Sequence, residues 1–349
     1  MNRRGGATGR TPGRRGVLYP QSAVPIALFV MLVTGCQSTS TSLPADDPAD
    51  YRAAMRTLVI DIAAYADDTA PGFLVVPQNG QELLTTSGEP DGPVARDYLR
   101  AIDGQGREDL FYGYDADNTA TPAAETAWMT AFLDRALAEG VVPIVTDYCS
   151  THSLMDDSYI RNAARGYLSF AADRRGLDGI PDYPSTPVNA DGDPVSSLAE
   201  AGNFLYLLDP GAFPDRNAYL AAMDATTYDL LIVDAFAEDG ILTDAEVDAL
   251  QTKPGGARRL VLAYMSIGEA ESYRDYWTAA WDRTPPAFVV EENPDWPGNF
   301  VVRYWDPAWR AILFGTDGAY LDRILAAGFD GVYLDIIDAF EYFEERRGG

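Results

Sequence analysis

Gly331-Val-Tyr-Leu-Asp335-Ile-Ile-Asp338 is the stretch that decides the fold: an apolar run too short for a helix, opened by glycine and closed by carboxylates. Runs of this kind recur at Phe73 to Val76, Asp109 to Gly113, Val141 to Thr146, Gly166 to Ala171 and Asn203 to Leu208. Three more follow at Asp229 to Val233, Leu260 to Met265 and Phe300 to Tyr304, which makes nine candidate strands. Helical periodicity separates many of them, as at Glu125 to Glu139, Asp244 to Gln251 and Ala319 to Ala327, and a helix from Tyr51 to about Ala66 leads into the first. Strands alternating with helices form a parallel sheet, and about eight repeats predict a (β/α)8 TIM barrel. The Gly-x-Gly-x-x-Gly phosphate loop of the open dinucleotide-binding alternative is absent.

The first 36 residues carry Arg3, Arg4, Arg10, Arg14 and Arg15, then an apolar run from Ala23 to Val33, then Val33-Thr34-Gly35-Cys36. This reads as a signal peptide ending in a lipobox, with Cys36 as the lipidation site. The apolar run is shorter than the roughly 20 residues of a spanning helix. Residues 37–50 lack apolar periodicity and read as a flexible tether, and 51–349 as one catalytic domain. The expected address is an exported, membrane-anchored lipoprotein in the cell envelope, touching the membrane through lipid alone. Cys149 is then left without a partner.

Composition removes several chemistries. A formal charge of -27, with 53 acids against 26 Lys and Arg, repels nucleic acid and anionic lipid and draws in cations such as an amino-sugar polymer. The same charge also suits plain solubility in a salty habitat. The sole histidine, His152, cannot build a multi-histidine zinc site, so no metal or other cofactor is expected. The sole lysine, Lys253, sits in a turn-like Thr-Lys-Pro-Gly-Gly, which disfavours a Schiff base. No Gly-x-Ser-x-Gly elbow is present.

Carboxylates remain, at the C-terminal ends of the candidate strands, where barrel active sites lie. The series is Glu82, Asp147, Asp173, Asp209, Asp234, Glu269, Asp306 and Asp335. Any one aspartate of the series could be a helix N-cap, whereas Glu82 and Glu269 are less natural caps. Strand tips bearing paired acids suit glycosidic-bond chemistry. Trp305, in Arg303-Tyr-Trp-Asp-Pro307, offers either a sugar-stacking face or ordinary core packing.

Five segments resemble glycoside hydrolase family 114, the endo-α-1,4-polygalactosaminidase-like barrels. They are Tyr228-Asp-Leu-Leu-Ile-Val-Asp234, Val261-Leu-Ala-Tyr-Met-Ser-Ile-Gly-Glu-Ala-Glu-Ser-Tyr-Arg274, Val302-Arg-Tyr-Trp-Asp-Pro307, Gly328-Phe-Asp-Gly-Val-Tyr-Leu-Asp-Ile-Ile-Asp338 and Pro77-Gln-Asn-Gly-Gln-Glu-Leu83. In the family the last of these follows the fourth, so the chain resembles a circularly permuted member, its usual ends joined through residues 176–203. The resemblance implies an endo-acting, retaining hydrolase with Asp335 as nucleophile and Glu82 as acid/base. It further implies that Asp234, Tyr264, Glu269, Asp147, Trp305, Asp338 and Asn79 hold an α-linked amino-sugar polysaccharide. A non-catalytic carbohydrate-binding lipoprotein on the same barrel, or a hydrolase of another α-glycan, fits the same residues.

Overall fold

The computed structural model of the chain describes residues 47–237 and 240–348. The expected signal peptide with Cys36 and most of the expected tether, residues 37–50, lie outside them. Eight parallel strands form the centre: β1 Leu74–Pro77, β2 Gly104–Glu108, β3 Val142–Tyr148, β4 Leu168–Ala172, β5 Phe204–Leu207, β6 Leu230–Asp234, β7 Leu260–Ser266 and β8 Gly331–Asp335. Five of them make one parallel sheet in the order β1-β8-β7-β6-β5 and three a second in the order β2-β3-β4. A parallel bridge between Gln78 and Gly106 joins β1 to β2, and β4 lies alongside β5. The fold is mixed α/β around parallel strands.

Helices cover the sheets because their apolar residues recur every three or four positions. In α1, Tyr51–Thr69, the buried residues are Tyr51, Met55, Leu58, Val59, Ile62 and Ala66, and Asp50 caps the first turn by accepting from the Ala53 amide at 2.8 Å. The chain continues through α2 Arg96–Ala101, α3 Ala123–Ala138, α4 His152–Ala163, α5 Arg216–Asp224, α6 Asp244–Leu250, α7 Pro307–Leu313 and α8 Tyr320–Ala326, and the sequence places α3, α6 and α8 correctly within a few residues. Between β4 and β5 the chain has only a short 3-10 turn, Leu198–Glu200, so the crossover expected to be loop-like is loop-like.

Two strand expectations need correction. The second strand is Gly104–Glu108, not Asp109 to Gly113, and Phe300 to Tyr304 does not join the parallel set. Asn299–Val302 is instead the middle strand of an antiparallel flap with Glu269–Glu271 and Val289–Glu292. Lys253 does open a turn, accepting from the Gly256 amide at 2.9 Å, while its side chain is 3% exposed and paired with Asp229 at 2.8 Å.

The two ends of the described chain meet. From α9, Ala339–Gly348, Arg347 donates to the carbonyls of Pro48 and Ala49 at 3.1 and 2.9 Å, and Glu344 pairs with Arg52 of α1 at 2.9 Å. Such exposed pairs contribute about 0–1 kcal/mol each. More comes from the rings of Tyr51, Tyr304, Trp305 and Phe343, which pack together at centroid distances of 4.7 to 5.9 Å.

Candidate active site

Strand alternation sets the site. Tyr333 and Asp335 share one face of β8, and register places Tyr333 beside Val76 of β1 and Tyr264 of β7. Two residues past Val76, Gln78 emerges on that face, and its bridge to Gly106 brings up Glu108 two residues further along β2. Gly106 is needed there, because a Cβ would overlap the Tyr333 hydroxyl. The chain turns sharply beyond these tips: Asn79, Asp109 and Ile336 have φ of 60°, 58° and 59°. For the β-branched Ile336 this left-handed conformation is strained, a cost of about 1–3 kcal/mol.

One amide couples the two acids. Gln78 Nε2 donates to Glu108 Oε2 at 2.8 Å and to Asp335 Oδ1 at 3.1 Å, and its Oε1 accepts from the Tyr206 hydroxyl at 3.0 Å, which fixes the amide's orientation. The two oxygens that share it therefore lie no more than about 6 Å apart, which is compatible with the close carboxyl pair of a double-displacement glycosidase. Asp335 also accepts from the Tyr264 hydroxyl at 2.7 Å and the Ile336 amide at 2.8 Å. Glu108 accepts from Asn79 Nδ2 at 3.0 Å and from the Tyr148 hydroxyl. Arg175 stacks over the Tyr148 ring at 3.9 Å.

The Asp335 carboxyl is pushed up from 3.8 to about 8, by burial first and by the charge of Glu108 second, against the pull of the Tyr264 hydrogen bond. In the free protein Asp335 thus holds its proton through neutral pH. Above it opens a hollow of about 290 Å³, walled by the pair, Tyr148, Tyr206 and Tyr264 and overhung by Tyr273 and Trp296. Half-exposed aromatic faces over paired acids suit a sugar ring.

Of the residues singled out in the sequence, Asp335, Tyr264, Asn79 and Asp338 line this hollow. Glu82 does not. It sits in a 3-10 turn past β1, Gln81–Leu84, and faces a neighbouring hollow with Asp338 and Glu341. Asp147 is fully buried, accepting from the amides of Phe111 and Tyr112 and the Ser158 hydroxyl. Asp234 pairs with Arg274 at 2.7 Å. Glu269 is 4% exposed and accepts from Asn293 at 2.8 Å. Trp305 belongs to the aromatic cluster where the chain ends meet. Asp209 and Asp306 are caps, accepting from the Gly211 and Ala308 amides.

Sequence reading missed Glu108, Gln78, Tyr148 and Trp296. Gly104-Gln-Gly-Arg-Glu108 contains no apolar residue, so nothing in its composition marks a strand. Its available signal was position, a five-residue segment between two helices that ends in an acid.

Parallel strands that deliver two carboxylates to one aromatic-walled hollow are the equipment of an enzyme class, the glycoside hydrolases. Comparison with known proteins agrees: residues 186–349 match glycoside-hydrolase family GH114. It is similar to uncharacterised proteins of Deinococcus radiodurans (45% identical over 129 residues, 37% of this chain and 39% of the relative) and Methanocaldococcus jannaschii (39% over 154 residues, 43% and 42%). A third, from Thermotoga maritima, is 35% identical over 146 residues, 41% of each chain. The chain thus spans about two-fifths of the length of the curated relatives it matches. Asp335, Tyr264 and Tyr206 fall inside the family match, Gln78 and Glu108 outside it.

Proposed function

We propose that the protein is an endo-acting, retaining glycoside hydrolase of α-linked amino-sugar polysaccharide, with Asp335 and Glu108 as its working acids. The observation that carries this is the Gln78 amide shared by the two carboxylates. Asp335, ionised and steadied by Tyr264, the Ile336 amide and Gln78, attacks the anomeric carbon. Glu108 protonates the departing glycosidic oxygen, then takes a proton from the water that releases the sugar from Asp335. Glu108 here takes the role that the resemblance gave to Glu82. The proton that rests on Asp335 in the free protein must sit on Glu108 for this step, and an ammonium at C2 of the bound sugar, close to Asp335, would favour that shift. The galactosamine polymer comes from the family resemblance, and the acidic charge of the chain supports a cationic substrate.

The domain, residues 51–349, is in this reading a closed (β/α)8 barrel, circularly permuted. Supporting closure, the eight strands neighbour one another in chain order, with β8 next to β1. Supporting permutation, α9 and α1 meet where one crossover from β8 to β1 belongs, the β4 to β5 crossover lacks a helix, and the family match covers only 186–349. The Arg-rich start and Val33-Thr-Gly-Cys36 support a lipid-anchored, exported protein that meets polysaccharide at the cell envelope.

The test is reducing-end release from partly deacetylated α-1,4-linked galactosamine polymer by the chain from Gln37, with Asp335→Asn alongside. Cutting that Asp335→Asn abolishes supports the reading. Binding without cutting in the unaltered protein would make it a carbohydrate-binding protein, and cutting of neutral α-glucan alone would change the substrate.

A further inference from the structure

Two of the four large apolar or aromatic side chains exposed among the described residues, Tyr273 and Trp296, belong to the antiparallel flap that follows β7, and both line the hollow over the acid pair. Exposed aromatics grouped at one cleft mark a binding surface. The base of the flap is tied to the barrel: Tyr273 donates its hydroxyl to Glu271 at 2.5 Å, and Arg274 joins Glu271 to Asp234 at the tip of β6, at 2.7 Å to each. Trp296 stands farther out, on turn 293–299 between the other two flap strands. That turn is closed by its own backbone, the Asn293 amide donating to the Asn299 carbonyl at 2.8 Å and the Asn299 amide to the Trp296 carbonyl at 3.0 Å. Its place over the barrel depends on ties to the strand that leaves β7. The Ser272 amide donates to the Gly298 carbonyl at 2.8 Å, and the Glu269 carboxylate takes both ends of the turn, Asn293 Nδ2 donating to Oε1 at 2.8 Å and the Asn299 side chain bonding the same group. Glu269 is itself fixed to the end of β7, where the Ser266 hydroxyl donates to its carbonyl at 3.0 Å. Its side chain is buried, and a buried carboxylate is costly unless hydrogen bonds compensate it. Those bonds run to the turn that carries Trp296 and to Asn299, which also lines the hollow.

We propose that Glu269 is a positioning residue: without touching substrate, it holds turn 293–299 so that the ring of Trp296 presents a fixed flat face to a sugar ring in the hollow. This deepens the functional reading above and rests on it. Stacking on an indole face is indifferent to the charge of the sugar's substituents, so the wall Glu269 sets up selects for a pyranose ring and not for an amine.

Affinity is measured by calorimetry on Asp335→Asn protein, which does not cut, with the α-1,4-linked galactosamine tetramer and its fully N-acetylated counterpart as probes. Adding Glu269→Ala should weaken both tetramers by about five- to tenfold, and Trp296→Ala should weaken them as much. The two substitutions together should cost little beyond Trp296→Ala alone, because they remove one and the same contact. Glu269→Gln keeps an oxygen for Asn293 and should restore most of the affinity. Hydrogen exchange of the 293–299 amides, read by mass spectrometry without ligand, should quicken in Glu269→Ala. Asn293→Ala cuts the same bond from the turn's side and carries the affinity test if Glu269→Ala does not fold. Additive losses, a loss confined to the amine tetramer, or unchanged exchange in the turn overturns the positioning role. If the Asp335→Asn protein binds neither tetramer, the functional reading falls, whereas binding that Glu269→Ala and Asn293→Ala both leave intact sinks the positioning role alone.

Discussion

Replacing Asp335 by asparagine should stabilise the protein at high pH while abolishing turnover. The folded protein holds the Asp335 proton up to about pH 8, whereas an unfolded chain gives it up near 3.8. Stability from this group is therefore full below about pH 4 and is lost progressively as pH rises towards 8. Four units would correspond to about 6 kcal/mol at most. Asp335 is partly solvent-accessible, and relaxation of the site reduces the cost, so about 2–3 kcal/mol is the working expectation. Asparagine keeps the acceptor for Gln78 and Ile336, and the Tyr264 hydroxyl can rotate to accept from the new amide. Urea unfolding at pH 4.5 and at pH 9, set as buffers for both proteins, provides the assay. The two curves should nearly coincide at the lower pH, and the variant's midpoint should be higher at the upper one. A variant no more stable than the unaltered protein at pH 9 would refute the claim that burial and Glu108 strain this carboxylate.

Gln78→Met removes the amide that couples the acids and leaves similar bulk, so kcat should fall about 10²-fold with modest change in stability, read by steady-state kinetics and unfolding together. Gly106→Ala would drive a Cβ into the Tyr333 hydroxyl and cost about 1–3 kcal/mol in a urea melt. Trp305→Ala should destabilise by about 3 kcal/mol without a specific effect on KM, and Trp296→Ala should raise KM for polymer with little loss of stability. Proton NMR of the first product should show the α-anomer if the amide-bridged acids work by double displacement; initial β-anomer would require an inverting arrangement.

How much of this was legible in the sequence depended on apolar patterning. β8, β7 and β6 are continuous apolar runs, buried along nearly their whole length, and they announced both their positions and the acids at their tips. β2 was illegible because neither of its faces carries an apolar side chain: Gly106 makes room for Tyr333 on one, and Gln105 on the other donates to the carbonyls of Asn79 and Gly106. Missing that strand meant missing Glu108, so Glu82 was the acid read near the end of β1. Asp147 was ambiguous for a different reason. A strand-end aspartate looks the same in sequence whether it faces a ligand or, as here, ties two backbone amides and a serine into the interior. Trp305 and Trp296 differ only in tertiary surroundings, which a single sequence does not carry.

The pairing of Asp335 with Glu108 is tested most directly by kcat and KM for Glu108→Gln and Glu82→Gln on the same deacetylated polymer. With Glu108 as acid/base, Glu108→Gln should lose kcat by about 10²–10⁴-fold, and Glu82→Gln should keep most of it. A collapse of kcat in Glu82→Gln, with Glu108→Gln still turning over, would contradict the pairing and return the acid/base role to Glu82.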